Sequence, residues 1–246
     1  MPVFFIEPEA IQGDGITLTG SLAHHLVESL RIQPGEELWL GHSGGLRFRA
    51  RVIRADAGRL TADIISSSNP PPASSPHTTL GLALIKSEHM DWAIQKATEL
   101  GITRLVPLVT ARTVIRLSPE RIPHRTARWR AIAREAAQQS MRWELPEVTE
   151  PKPFAIWCEQ ERETMCRLLL WKHPQVKRLR ESLRGRQKPE TIAVAIGPEG
   201  GFEDEEVSRA EECGFENVSL GPRILRTESA VLAALAIIQY EWGDVG

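Results

Sequence analysis

The chain reads as an α/β protein, a largely parallel-sheet domain preceded by a small β-barrel. Three observations predict this. Residues 1–65 hold short apolar runs cut by Gly, Pro and Asp turns, with one helical segment among them. Residues 66–77, SSSNPPPASSPH, carry four prolines and five serines and suit an extended linker. From Thr79 strands alternate with helices, the pattern of a mostly parallel sheet with crossover helices. The expected division is a barrel over residues 1–70 and an α/β domain over 77–246, joined at about 66–77.

The barrel strands are expected at Val3–Ile6, Ile16–Leu18, Glu37–Leu40, Leu46–Ile53 and Arg59–Ile64. A helical segment, Leu22–Leu30, leads to Arg31 and the Pro34-Gly35 turn. Arg47, Arg49 and Arg51 recur with period two and so share one strand face. An exposed face and a phosphate-contacting face both fit them.

In the second part, Leu80–Ile85 is a strand and Ser87 an N-cap. The helix that follows lines Met90, Ile94, Ala97 and Leu100 on one face and ends before Gly101; Ile102–Val109 is the next strand. Pro119–Gln139 is a long arginine-rich helix with Trp129 and Ile132 inward and a polar tail running to Arg142. Met165–Leu170 is a strand, and Lys172–Lys188 is basic and poorly patterned.

The densest pattern comes last. Ile192–Ile196 is a β-branched, buried strand that stops at Gly197-Pro198, with Gly200-Gly201 after one acidic residue. Such a loop lets backbone lie against a ligand with no Cβ in the way. Glu203, Asp204, Glu205 and Glu206 suit a helix N-terminus, and Gly214 its C-terminal end. Glu216–Leu220 is another strand, Gly221-Pro222 a turn, and Thr227 an N-cap for the apolar helix Ser229–Trp242, whose composition suits a buried helix or a subunit contact. The loops after Leu170, Ile196 and Leu220 leave the C-terminal ends of strands, where open α/β sheets bind ligands.

Composition narrows the class. No apolar run is long enough for a membrane span, and the N-terminus MPVFFIEPEA does not read as a signal segment. Cys158, Cys166 and Cys213 are scattered without ligand spacing, which suits a reducing cytoplasm and argues against a disulfide frame or a metal site. Net charge is −2, yet residues 73–143 hold eleven Lys/Arg against five Asp/Glu, while 191–246 hold three against eleven. A basic middle of this kind fits phosphate backbone or solvated helix faces. Dinucleotide, P-loop, nucleophile-elbow and zinc-protease motifs are all missing. A ligand loop without an evident acid, base or metal fits a cofactor that is itself reactive.

IGPEGGF together with LGPRILRTESA resembles the paired cofactor motifs of the SPOUT methyltransferases, and within these the RsmE family, which methylates N3 of a uridine in 16S ribosomal RNA. HHLVESLRIQPGE (24–36), LIKSEHMDWAIQKATELGITRLVPLVTAR (84–112) and AREAAQQSMRWELPEV (133–148) agree in the same order, so the resemblance spans nearly the whole chain. The chain departs where the family usually has Glu-Gln, here Gln138-Gln139, and Glu-Thr, here Glu228-Ser229.

The resemblance implies a PUA-like barrel that helps to hold RNA and a trefoil-knotted domain that binds S-adenosylmethionine. It also implies a homodimer, and a substrate of 16S rRNA or the 30S subunit. Carried onto matching positions, the cofactor falls to Leu170, Ile196, Gly197, Pro198, Glu199, Gly200, Gly201, Leu220, Gly221, Ile224, Leu225 and Thr227. Turn geometry alone also accounts for Gly197 and Gly200, and core packing for Ile224 and Leu225. The catalytic candidates are Arg142 and Arg226, as cations beside the uracil, and Glu228, to orient an arginine or take the proton. A phosphate contact accounts equally for Arg142, and helix N-terminal charge complementarity for Glu228. Arg31, Lys86, Arg112 and Arg116 are candidate RNA contacts. Two other readings are a SPOUT methyltransferase for a different RNA and a non-catalytic RNA-binding protein.

Overall fold

The structure, a computed structural model, describes residues 3–42, 45–72 and 75–246. The chain forms two compact units, Met1–Pro72 with Ala137–Leu145, and Ala73–Ala136 with Pro146–Gly246. Residues 137–145, expected in the α/β domain, therefore belong to the first unit. The proposed linker is also shorter than expected: a barrel strand runs on to Ser68 and the next unit's first strand starts at His77. Ala73 and Ser74 of that stretch lie outside the described residues.

The first unit is built on β1 (Val3–Ile6), β2 (Ile11–Gln12), β3 (Gly15–Thr19), α1 (Gly20–His24), β4 (Glu37–His42), β5 (Arg47–Asp56) and β6 (Arg59–Ser68). Their order in the sheet is β1-β4-β5-β6-β3-β2, with β1 parallel to β4 and the other pairs antiparallel. Alternating residues, Leu38, Leu40, Phe48, Ala50, Val52, Leu60 and Ala62 among them, face one core with Leu26. The expected helix at Leu22–Leu30 is α1 followed by a π-turn over His25–Ser29, closed by Leu30 N–H to His25 O at 3.0 Å.

The second unit runs β7 (His77–Ala83), α2 (Ser87–Glu99), β8 (Arg104–Val109), α3 (Ile122–Gln139), β9 (Glu147–Val148), β10 (Lys152–Pro153), α4 (Phe154–Gln160), β11 (Cys166–Leu170), α5 (Leu179–Leu183), β12 (Thr191–Ile196), α6 (Asp204–Glu212), β13 (Glu216–Val218) and α7 (Thr227–Trp242). Up to Ala136, α3 counts with this unit. The sheet order is β10-β8-β7-β12-β11-β13, with β9 also on β8, and its pairings are parallel. Helices cover both faces, as a parallel sheet requires. Leu80, Leu82, Leu168, Ile192, Val194 and Ile196 pack towards α2 and α7, while Val106, Leu108, Leu169, Ala193 and Ala195 pack towards α4 and α6.

Several local expectations are corrected. Ser87 is the first residue of α2, with Lys86 as N-cap. Pro119–Arg121 is a single 3₁₀ turn ahead of α3, because Pro123 has no N–H to extend the helix backwards. Residues 172–188 contain the one-turn helix α5, held by buried Leu179 and Leu183. Among the described residues, no helix is long and apolar enough to cross a membrane, and no His, Cys, Asp and Glu group is placed to hold a metal.

Candidate active site

Register brings the site together. Leu170 at the end of β11 pairs with Ile196 of β12 on one side and Val218 of β13 on the other. Three parallel strands thus end level, and their loops leave one edge of the sheet side by side. Trp171 N–H donates to Val218 O at 2.9 Å and Leu179 N–H to Ser219 O at 2.8 Å, so the first loop is laced to the third. Between the loops lies a cleft of about 310 Å³.

The middle loop is a tight turn, with Gly201 N–H on Pro198 O at 2.9 Å and Gly201 at φ +72°. A Cβ on Gly197 would stand 3.1 Å from the Phe202 ring and 3.3 Å from the Gly201 carbonyl carbon, so any larger residue would push the ring or the turn by a few tenths of an ångström. Behind the loop, α6 opens with Glu203 as N-cap in a capping box with Glu206, which fixes the acidic run expected there.

Thr227 is not the N-cap of α7. Arg226 takes that position in extended backbone, and Thr227 begins the helix. Its hydroxyl, on a residue only 5% exposed, donates to Gly197 O at 3.2 Å. The last loop is therefore tied directly to the glycine turn. Arg112, from the segment after β8, holds the turn from the other side. Its Nη1 donates to Gly200 O at 2.8 Å, its Nε lies 3.7 Å from Glu203 Oε1, and its stem packs where a Gly200 Cβ would sit.

The cleft lining includes every position assigned to the cofactor from sequence. Ile224 is 82% exposed, an apolar side chain at the cleft with little of the chain packed on it. Apolar Ile196, Leu225 and Ala230, together with backbone N–H and C=O groups at glycine turns, suit a flat heteroaromatic base. The residues present fit an adenosyl cofactor.

The other candidates are distributed differently. Lys86 is the exposed N-cap of α2, and Arg116 is exposed beyond β8. Arg226 is exposed at the start of α7. Glu228 pairs with no arginine among the described residues; its Oε1 lies 3.0 Å from His89 Nδ1 of α2. Arg31 and Arg142 belong to the first unit, Arg31 exposed at φ +55° and Arg142 half-buried. Sequence reasoning missed Trp171, Lys172, Phe202, Val218, Ser219, Arg223 and Ala230 as lining residues and His89 as the partner of Glu228. Most of these adjoin or lie within the quoted motifs, and Ala230 is one helical turn beyond Thr227.

The profile of an RNA methyltransferase domain matches residues 72–239, and that of an RNA methyltransferase PUA domain matches residues 18–65. Fold and site thus define a SPOUT-type RNA methyltransferase with an N-terminal PUA domain. The ribosomal RNA small subunit methyltransferase E of Synechocystis sp. is 36% identical over 95% of this chain and 75% of its own. That of Bacillus subtilis is 28% identical over 98% of this chain and 97% of its own. The crystal structure of the Neisseria gonorrhoeae enzyme of the same name, bound to S-adenosylmethionine, superposes over all of both chains with a TM-score of 0.90 at 31% identity. The chain belongs to the ribosomal RNA small subunit methyltransferase E family.

Proposed function

We propose that the protein transfers a methyl group from S-adenosylmethionine to N3 of a uridine in 16S rRNA, as a cytoplasmic homodimer acting on the RNA or the 30S subunit. The observation that carries this reading is the cleft enclosed by the loops after β11, β12 and β13, in a chain of this family. The cofactor supplies a sulfonium methyl that is already electrophilic.

The chain's residues have two tasks. The first is alignment. Thr227 and Arg112 hold the Gly197–Gly201 turn from opposite sides, which fixes the backbone groups that a bound cofactor meets. A fixed line between methyl and N3 can supply several kcal/mol of the barrier, roughly 7–11 at the upper end. The second task is the imide proton of uracil. Loss of the N3–H proton would spread negative charge over N3, O2 and O4, and that charge would be discharged as N3 takes the methyl and the carbon–sulfur bond breaks to leave a neutral thioether. Arg142, with Arg226 as second candidate, stabilises that charge. Glu228, whose Oε1 lies 3.0 Å from His89 Nδ1, takes that proton in this reading. The base must be unpaired or flipped, because Watson–Crick pairing covers N3. Lys86, Arg116 and Arg31 contact the RNA backbone in this reading, and Arg112 serves the loop and the RNA together.

The test is incubation of purified protein with methyl-labelled S-adenosylmethionine and 30S subunits lacking the modification, followed by nucleoside mass spectrometry. Labelled 3-methyluridine is expected. Cofactor binding without label in that nucleoside would point to another RNA substrate, and neither label nor cofactor binding to a non-catalytic RNA-binding protein.

A further inference from the structure

The end of α3 is a Schellman motif. Arg142 N–H donates to Ala137 O at 2.9 Å, and Met141 N–H to Gln138 O at 3.3 Å. The ends of α2 and α6 are built alike. Ile102 N–H reaches Ala97 O at 3.2 Å and Phe215 N–H reaches Ala210 O at 2.9 Å. In those two helices the left-handed position is filled by Gly101 and Gly214, both at φ +83°. In α3 it is filled by Met141 at φ +56°, and the next residue is Arg142. A left-handed methionine needs something to hold it, since Cβ crowds the following carbonyl.

Arg47, the first residue of β5, makes those contacts. It is 8% exposed, its Nη2 donates to the carbonyl of Met141, and its guanidinium carbon lies 3.8 Å from the ring centroid of Trp143. One side chain therefore grips the residues on both sides of Arg142. Its period-two neighbours are used otherwise: Arg49 and Arg51 pair with Glu37 at 2.6 and 3.1 Å. A planar guanidinium can stack on an indole and donate in its own plane at once, which an ammonium cannot.

We propose that Arg47 is a positioning residue, which locks the backbone on either side of Arg142 and so sets the direction in which that guanidinium is presented to the RNA. The inference rests on the reading that Arg142 acts on the uracil. Arg47 itself, buried between Met141 and Trp143, touches no substrate.

The test uses full-length protein and 30S subunits, with kcat and KM for the subunit measured beside calorimetric binding of S-adenosylmethionine. Arg47→Met is expected to lower kcat by about 10–100-fold, the scale of a misplaced catalytic group, with cofactor affinity unchanged. Trp143→Phe, which keeps an aromatic face, retains most of the rate. Arg47→Met combined with Arg142→Ala is no slower than Arg142→Ala alone, because the first change acts only through the second. Met141→Gly removes the strained position, so Arg47→Met in that background keeps its thermal stability. It remains slow, which a merely structural role would not produce. Wild-type kcat in Arg47→Met, rate losses that multiply in the double variant, or full rescue of kcat by Met141→Gly would each overturn the inference alone. Wild-type kcat in Arg142→Ala would overturn the reading of Arg142 and the inference with it.

Discussion

Thr227 spends its hydroxyl on the Gly197 carbonyl rather than on its own helix. Removing that donor leaves a carbonyl unpaired at the turn and frees the last loop from the middle one. Thr227→Val, nearly equal in shape, is expected to weaken S-adenosylmethionine binding by about 1–1.5 kcal/mol, roughly tenfold, by calorimetry. An unchanged affinity would mean that the turn holds itself. At Glu159 a different residue-scale effect is set by charge. Hydrogen bonds from Arg162, aided by the Cys213 thiol and by the charges of Arg162 and Arg209, hold its pKa at about 2 against a partly opposing desolvation. A carboxyl depressed in the folded state adds stability above its unfolded pKa and loses it as pH falls through the folded value. The contribution is thus complete at neutral pH and disappears between the ordinary value of 4.5 and about 2. Glu159→Gln should lower the melting temperature near pH 7 and flatten its decline between 4.5 and about 2, so that variant and wild type converge at the acid end.

At the scale of elements, the sheet was the most legible part. β12 was readable because a strand buried on both faces reads as a continuous apolar run, and Ile192–Ile196, rich in β-branched residues, is one. Gly214 was readable as a helix end because a left-handed position favours glycine. Met141 was not, because methionine carries no such signal and the position is held by Arg47 from a distant strand. Thr227 was misread for a related reason: a threonine at a helix start looks like a cap, and only its tertiary partner shows otherwise. Gly81 in β7 shows what close packing demands of an element. A Cβ there would stand 2.7 Å from the fully buried Trp157 ring and 2.9 Å from Leu108. Gly81→Ala is therefore expected to cost about 1–3 kcal/mol, the usual penalty of overpacking, measured by denaturant melts.

At the scale of the whole molecule, the Ser/Pro-rich stretch near residue 70 announced a boundary, but nothing local could show that residues 137–145 return to the first unit. The proposed association with a second copy fits what α7 leaves uncovered. Val231, Ala234, Leu235 and Ile238 face the core, while Leu232 and Tyr240 remain 38% and 73% exposed, with Trp92 at 38% on the neighbouring α2. Exposed apolar groups of this kind are what dimers bury. If the proposed dimer buries this side of α7, a glutamate at Leu232 would leave the core side intact but place a charge in the interface, where its desolvation has no partner to offset it. Leu232→Glu is therefore expected to keep a wild-type melting profile at high protein concentration and to raise the dimer dissociation constant by about 100-fold or more, a change of roughly 3 kcal/mol. Sedimentation velocity over a dilution series would read it. A variant as dimeric as the wild type would move the interface off this face, and a monomeric wild type would remove the dimer from the proposal altogether.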